Sequence, residues 1–140
     1  MHIRSYSTED LEKILTMDGR PPSSKRRRDK FRLVEYCEAF YCYVADEGGS
    51  IVGFIIMEDM GDAISHYMVQ INVLDKRKGI GKALVFKVFD KIGPGGHISL
   101  CVNTDNDGAI GFYEYMGFVR SGFTEGYRKG QNKFWYQIDL

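Results

Sequence analysis

Apolar and polar positions along this chain change period several times, and each change marks an element. Residues 2–5 read as a short opening strand. Ser7 or Thr8 then caps a helix with Leu11, Ile14 and Leu15 on its apolar side, expected to end near Gly19. Pro21 and Pro22 make a break. Ser23 or Ser24 caps a second helix, which runs through the basic residues 25–30 to about Glu38. Residues 40–46 alternate in strand fashion, Glu47-Gly48-Gly49-Ser50 is a hairpin turn, and residues 51–58 return as a strand. A turn at Gly61-Asp62 leads to a strand over residues 63–73. The next segment is helical: Ile80, Leu84, Val85, Val88, Phe89 and Ile92 share one half of the wheel, and Lys82, Lys87, Asp90 and Lys91 the other. Gly93-Pro94-Gly95-Gly96 stops it.

Residues 98–102 form a short apolar strand, and a polar turn over 103–107 caps a helix to about Met116, with Gly117 as its stop. Residues 118–123 and 134–138 close the chain as two strands, joined by a turn at Lys129-Gly130-Gln131-Asn132. The order is strand, two helices, three strands, helix, strand, helix, two strands. It predicts a mixed α/β fold: a central, largely antiparallel sheet flanked by helices on both faces.

At 140 residues the chain is expected to be one domain over 1–140, large enough to bury about two-thirds of its surface. The formal net charge is zero, so no overall field favours nucleic acid or membrane. No apolar run approaches a membrane span. The start, Met-His-Ile-Arg-Ser, has no apolar signal segment, which makes the cytoplasm the expected location. Cys37, Cys42 and Cys101 show no metal-like pairing, and His2, His66 and His97 are scattered, so no zinc site is expected.

The chemistry concentrates in Lys76-Arg77-Lys78-Gly79-Ile80-Gly81-Lys82-Ala83, between a strand and a helix. The first helical turn there offers unpaired N–H groups and the positive end of the helix dipole, which together suit a phosphate. Lys76, Arg77, Lys78 and Lys82 add full charge. A nucleotide-hydrolase P-loop is excluded: Ala83 has no hydroxyl for magnesium, and Lys76 stands where the first Gly is needed. The dinucleotide pattern fails too, since its third glycine would fall at Leu84. Taken alone, Gly79-x-Gly81 also fits a simple tight turn.

Two separated motifs carry a resemblance. Ile71-x-x-x-x-Lys76-x-x-Gly79-x-Gly81 resembles the acetyl-coenzyme A (acetyl-CoA) loop of the Gcn5-related N-acetyltransferase (GNAT) family. Asn106-x-x-Ala109-x-x-x-Tyr113-Glu114-x-x-Gly117-Phe118 resembles that family's second signature. Order, separation and element order match, over nearly the whole chain. Lys76 replaces the usual Gln or Arg, and Val73 stands where proline is common.

The resemblance implies acetyl-CoA as cofactor, with its pyrophosphate over residues 77–82 (Arg77, Lys78, Gly79, Ile80, Gly81, Lys82). Lys76 stands beside that turn. The pantetheine arm would lie against main-chain groups of Ile71 and Val73, and Asn106 would cap a helix and contact the cofactor. It also implies a role for Tyr113, which spacing alone reads as packing beside Phe112: a general acid that protonates the departing thiolate. The base is left open between His66, Glu58 and ordered water; Cys101 occupies the place where N-terminal acetylases of the family carry Glu.

The function expected is acetyl transfer to a primary amine by direct attack, a small-molecule acceptor being favoured over a protein N-terminus or lysine. Phe31, Tyr36, Glu125, Tyr127 and Arg128 are the candidate acceptor contacts. The basic residues 25–30 read as a solvated helix face. The rival class is a non-catalytic acyl-CoA sensor or a basic-helix nucleic-acid binder. Nucleic acid and membrane are not expected as partners; a homodimer is compatible with everything above.

Overall fold

A computed structural model describes residues 1–17, 25–76 and 79–140, without the side chains of residues 25–28. The expected end of the first helix, the proline break, the caps Ser23 and Ser24, and the phosphate-loop residues Arg77 and Lys78 lie outside the described residues.

Strands β1 (His2–Ser5), β2 (Phe40–Glu47), β3 (Ser50–Asp59), β4 (Ser65–Val73), β5 (His97–Asn103), β6 (Val119–Arg128) and β7 (Gln131–Asp139) form a seven-stranded sheet in the order β1-β2-β3-β4-β5-β7-β6. Only β4 and β5 are parallel; every other neighbouring pair is antiparallel. Helices α1 (Leu11–Met17) and α2 (Lys25–Tyr36) cover one face, and α3 (Ile80–Ile92) and α4 (Asp107–Tyr115) the other. The mixed fold class expected from the element order is the one observed. No helix among the described residues is long and apolar enough to cross a membrane.

Two cores follow from strand alternation. Phe54 and Ile56 of β3 point toward α1 and α2, where they meet Ile14, Leu15 and Phe31. Ile55 and Met57 point the other way, toward Leu84, Val85 and Val88 of α3. That two-sided burial explains why β3 reads as an unbroken apolar run. Each of these side chains stabilises the fold by about 1.5–3 kcal/mol relative to leaving it in water.

Three observations go beyond or correct the expectations. The turn after β3 is longer than expected, because Asp62 accepts from the N–H groups of Ile64 (2.9 Å) and Ser65 (2.6 Å) and delays the start of β4. The last two strands run further toward each other: Arg128 pairs with Gln131, leaving Lys129-Gly130 as the turn. Finally, Arg4 donates to both carboxylate oxygens of Asp10 (2.9 and 2.8 Å) and to Asp46 (3.2 Å), while Asp10 also accepts from the Ser7 N–H (2.9 Å). This network ties β1 to β2 and to the 3-10 turn before α1. The Arg4 guanidinium holds the buried Asp10 carboxyl below the ordinary carboxylate range.

Candidate functional site

The site begins where the sheet splits. β4 and β5 pair only through residues 65–67 and 97–99. Beyond that, β4 carries an extra residue at Val69: Ile56 faces Gln70 and Met57 faces Met68. A bulge of this kind bends its strand, here away from β5. β5 meanwhile follows β7 as far as Asn103 opposite Lys133. The strands part into a cleft of about 950 Å³. The Leu74 N–H reaches back to Val52 O at 2.9 Å, and antiparallel bonding alternates, so the main-chain groups of Ile71 and Val73 point away from β3 into the gap.

One end of the cleft is built from main chain. Gly79 sits in the left-handed region at φ 70°, a turn that L side chains resist. The first helical bond is Ala83 N–H to Gly79 O, so the N–H groups of Ile80, Gly81 and Lys82 lie ahead of the helical ladder. Gly81 is glycine for a different reason from Gly79: a Cβ there would come within 3.2 Å of the Phe112 ring on α4. Lys76, Gly79, Gly81 and Lys82 all line the cleft. The Ile80 side chain is buried in the core, so this residue can contribute only through its main chain. Lys82 is steadied by the Tyr115 hydroxyl at 3.4 Å and by the Phe86 ring. Asn106 caps α4, its Oδ1 accepting from the Ala109 N–H at 3.2 Å.

Tyr113 projects from α4 into the same cleft, 8% exposed and packed edge-on against Phe112 and Phe118. Burial pushes its phenol up to about 12, and the charge of a Cys101 thiolate would push in the same direction. The proton therefore stays on Oη at neutral pH. Across the gap, Tyr67 Oη lies 3.2 Å from Cys101 Sγ, and Tyr67 packs against Trp135. Burial again raises the Tyr67 phenol, with Cys101 and Glu58 adding to the effect.

Several expected residues stand elsewhere. His66 alternates to the opposite face from Tyr67 and is buried, its Nδ1 2.8 Å from the Tyr41 hydroxyl. It does not line the cleft. Glu58 faces Tyr67 across the β3–β4 pair, outside the lining. Phe31 is a core residue packed on Phe54 and Tyr6, because α2 turns its apolar side inward there. Tyr36 is 82% exposed at the end of α2, away from the lining, and Glu125 points to solvent from a bulge in β6. Tyr127 and Arg128 do line the cleft.

Sequence reasoning missed Tyr67, Asn103, Tyr115 and Lys133 as lining residues. Lys133 reaches the lining through its register with Asn103 across β5 and β7, which no local sequence signal marks. No Asp, Glu or His lines the cleft among the described residues. None of the described residues forms a group of three or more side chains suited to a metal ion.

The fold is shared with solved acetyltransferases. The ribosomal-protein-S18-alanine N-acetyltransferase of Escherichia coli superposes with a TM-score of 0.80 at 22% identity, over 98% of this chain and 92% of that one. The spermidine/spermine N-acetyltransferase SpeG of Vibrio cholerae gives 0.76 at 19% identity, over 98% and 91%. A Bacillus anthracis protein assigned as a streptothricin acetyltransferase, solved with acetyl coenzyme A, gives 0.65 at 24% identity, over 75% and 65%. These likenesses establish the fold and leave the acceptor open. The sequence itself matches the acetyltransferase (GNAT) family over residues 8–118. With the split sheet, the glycine turn and the buried tyrosine in their places, this chain belongs to the GNAT acetyltransferase family.

Proposed function

We propose that the protein transfers the acetyl group of acetyl-CoA to a primary amine by direct attack in a ternary complex, residues 1–140 acting as one catalytic unit. The observation that carries this reading is that the ladder-free N–H groups of α3 and the buried Tyr113 hydroxyl open into one cleft. Acetyl-CoA, when bound, supplies an activated acyl thioester. The chain's residues fit its chemistry. N–H groups of Ile80, Gly81 and Lys82 suit a diphosphate at the helix start, and Lys76 and Lys82 add compensating charge. The outward main-chain groups of Ile71 and Val73 can take an extended arm as an added strand.

In the transfer, the amine nitrogen bonds to the acyl carbon while the carbon–sulfur bond breaks. Tyr113 Oη delivers its proton to the sulfur and is reprotonated from solvent. With no carboxylate or imidazole among the described lining residues, the proton on the attacking nitrogen passes to water. Tyr67 and Cys101, across the gap, shape the wall that faces the acceptor.

The test is thiol release from acetyl-CoA on addition of a panel of amines, with the acetylated product identified by mass. Transfer to one or more amines, abolished or strongly slowed in Tyr113→Phe, is the expected result. Binding of acetyl-CoA without thiol release for any amine would overturn the reading in favour of a sensor. Binding itself is read by melting: ligand at a hundred times its Kd should add about 2.7 kcal/mol of stability.

A further inference from the structure

The cleft has cations at both ends, and only one end is accounted for. Lys76 and Lys82 sit beside the glycine turn. Arg128 and Lys133 line the cleft from the β6–β7 hairpin. Alternation settles their side. Leu100, Val102 and Tyr136 are buried in the core under α3 and α4. Cys101 and Asn103, and their register partners Trp135 and Lys133, therefore point to the opposite face, where Tyr67 meets Cys101.

Three further features make this end a built surface. A bulge places Glu125, Gly126 and Tyr127 opposite Asn132 alone, and Asn132 Oδ1 accepts from the Gly126 N–H at 2.9 Å, fixing the hairpin tip. Arg128 and Lys133 then flank one ring, at 5.7 and 5.4 Å from the Tyr127 centroid. Neither is neutralised by an ion pair among the described residues. Lys30 of α2 contributes a third cation to the lining, its Nζ donating to Gln70 Oε1 at 3.0 Å. Glu58 beside Tyr67 and Glu125 in the hairpin stand outside the lining. Directly opposite Lys133 in register, the buried Asn103 Oδ1 has no hydrogen-bond partner.

We propose that the acceptor is a small zwitterionic amine whose carboxylate or phosphate-type oxyanion is held by Arg128 and Lys133, with Asn103 Oδ1 accepting from its amine side. This rests on the acetyl-transfer reading above and names the acceptor class it leaves open. A polyamine fits badly, because its remaining ammonium groups would lie against like charges with no carboxylate among the described lining residues to offset them.

The experiment is calorimetric titration of the coenzyme A-saturated protein with matched pairs: phenylalanine against phenethylamine, lysine against cadaverine, and 2-aminoethylphosphonate against ethylamine. The anionic member of a pair should bind at least about threefold tighter, and the preference should shrink as salt rises. The phosphonate arm separates oxyanion types. The double variant Arg128→Gln, Lys133→Gln should lose the preference, and the charge-keeping double variant Arg128→Lys, Lys133→Arg should retain it. Equal or tighter binding of the anion-free member in every pair overturns the proposal. So does binding of no anionic member, or a preference that survives the double Gln variant. The readout is binding, so the two readings fail separately. Anion preference without thiol release for any amine would sink acetyl transfer alone, and thiol release without anion preference would sink the acceptor class alone.

Discussion

The two ends of the cleft are made of different material. The α3–α4 end presents main-chain N–H donors, placed by a left-handed glycine, a helix start and one close glycine–phenylalanine contact. At the β6–β7 end the cleft is lined by the side chains of Tyr127, Arg128 and Lys133, brought in by a bulge and by pairing between strands far apart in sequence. Main-chain chemistry constrains where glycine must fall, so it leaves a motif. Side-chain chemistry on a bulged hairpin constrains only the final register, which leaves no local motif. One end of the cleft is therefore marked in the sequence and the other is not.

The largest effect should come from the α3–α4 end. Tyr113→Phe keeps the ring that packs against Phe112 and Phe118 and removes only the hydroxyl, so turnover should fall about ten- to a thousand-fold with little change in acetyl-CoA affinity. Steady-state kinetics beside a direct binding titration separates the two quantities. An unchanged kcat would remove the tyrosine from the chemistry.

Next in size is a control far from both ends. Asp10→Asn should cost about 2 kcal/mol in urea melts, because it removes the charge that Arg4 pairs with in a largely buried site. Asp10 has its folded pKa below the ordinary carboxylate value, so its contribution is present above about pH 4 and fades as pH falls through the folded value. The variant's stability should accordingly vary less with pH in that acid range, while acetyl-CoA affinity stays as in the parent.

Gly79→Ala should cost about 1 kcal/mol, since alanine resists φ 70° although the space around it is open. The measurement that sharpens the comparison is acetyl-CoA affinity, which should weaken with the displaced turn while binding of small amines is unaffected. The smallest effect is a shape in a pH profile. With no carboxylate or imidazole among the described lining residues and a phenol pushed up to about 12, kcat/KM should rise with the neutral fraction of the amine. It should show no further inflection between about pH 5 and 8. A protein-borne inflection in that range would return a histidine base to consideration.

What was legible in the sequence follows the same division. The element order, the glycine turn and the α4 signature could be read because periodicity and glycine placement are local. His66 as a base could not be judged, since a strand's alternation alone does not say which face meets the cleft; the Tyr41 hydroxyl decides that, 25 positions away in the chain. Phe31 was expected at the acceptor and lies in the core for a similar reason: the inward side of α2 is set by Phe54 on β3. Lys133 and Tyr67 went unnoticed because each reaches the cleft through a partner strand, and single-sequence patterning carries no pairing information. The Arg4–Asp10–Asp46 network was likewise invisible, as Asp46 reaches Arg4 only through the pairing of β1 with β2, and Asp10 only through the 3-10 turn that follows β1.

The most direct test of the central claim is a crystal structure with acetyl-CoA bound. The account predicts the diphosphate on the N–H groups of Ile80, Gly81 and Lys82, and the thioester sulfur within hydrogen-bond reach of Tyr113 Oη. A diphosphate bound elsewhere, or a sulfur remote from that hydroxyl, would contradict it.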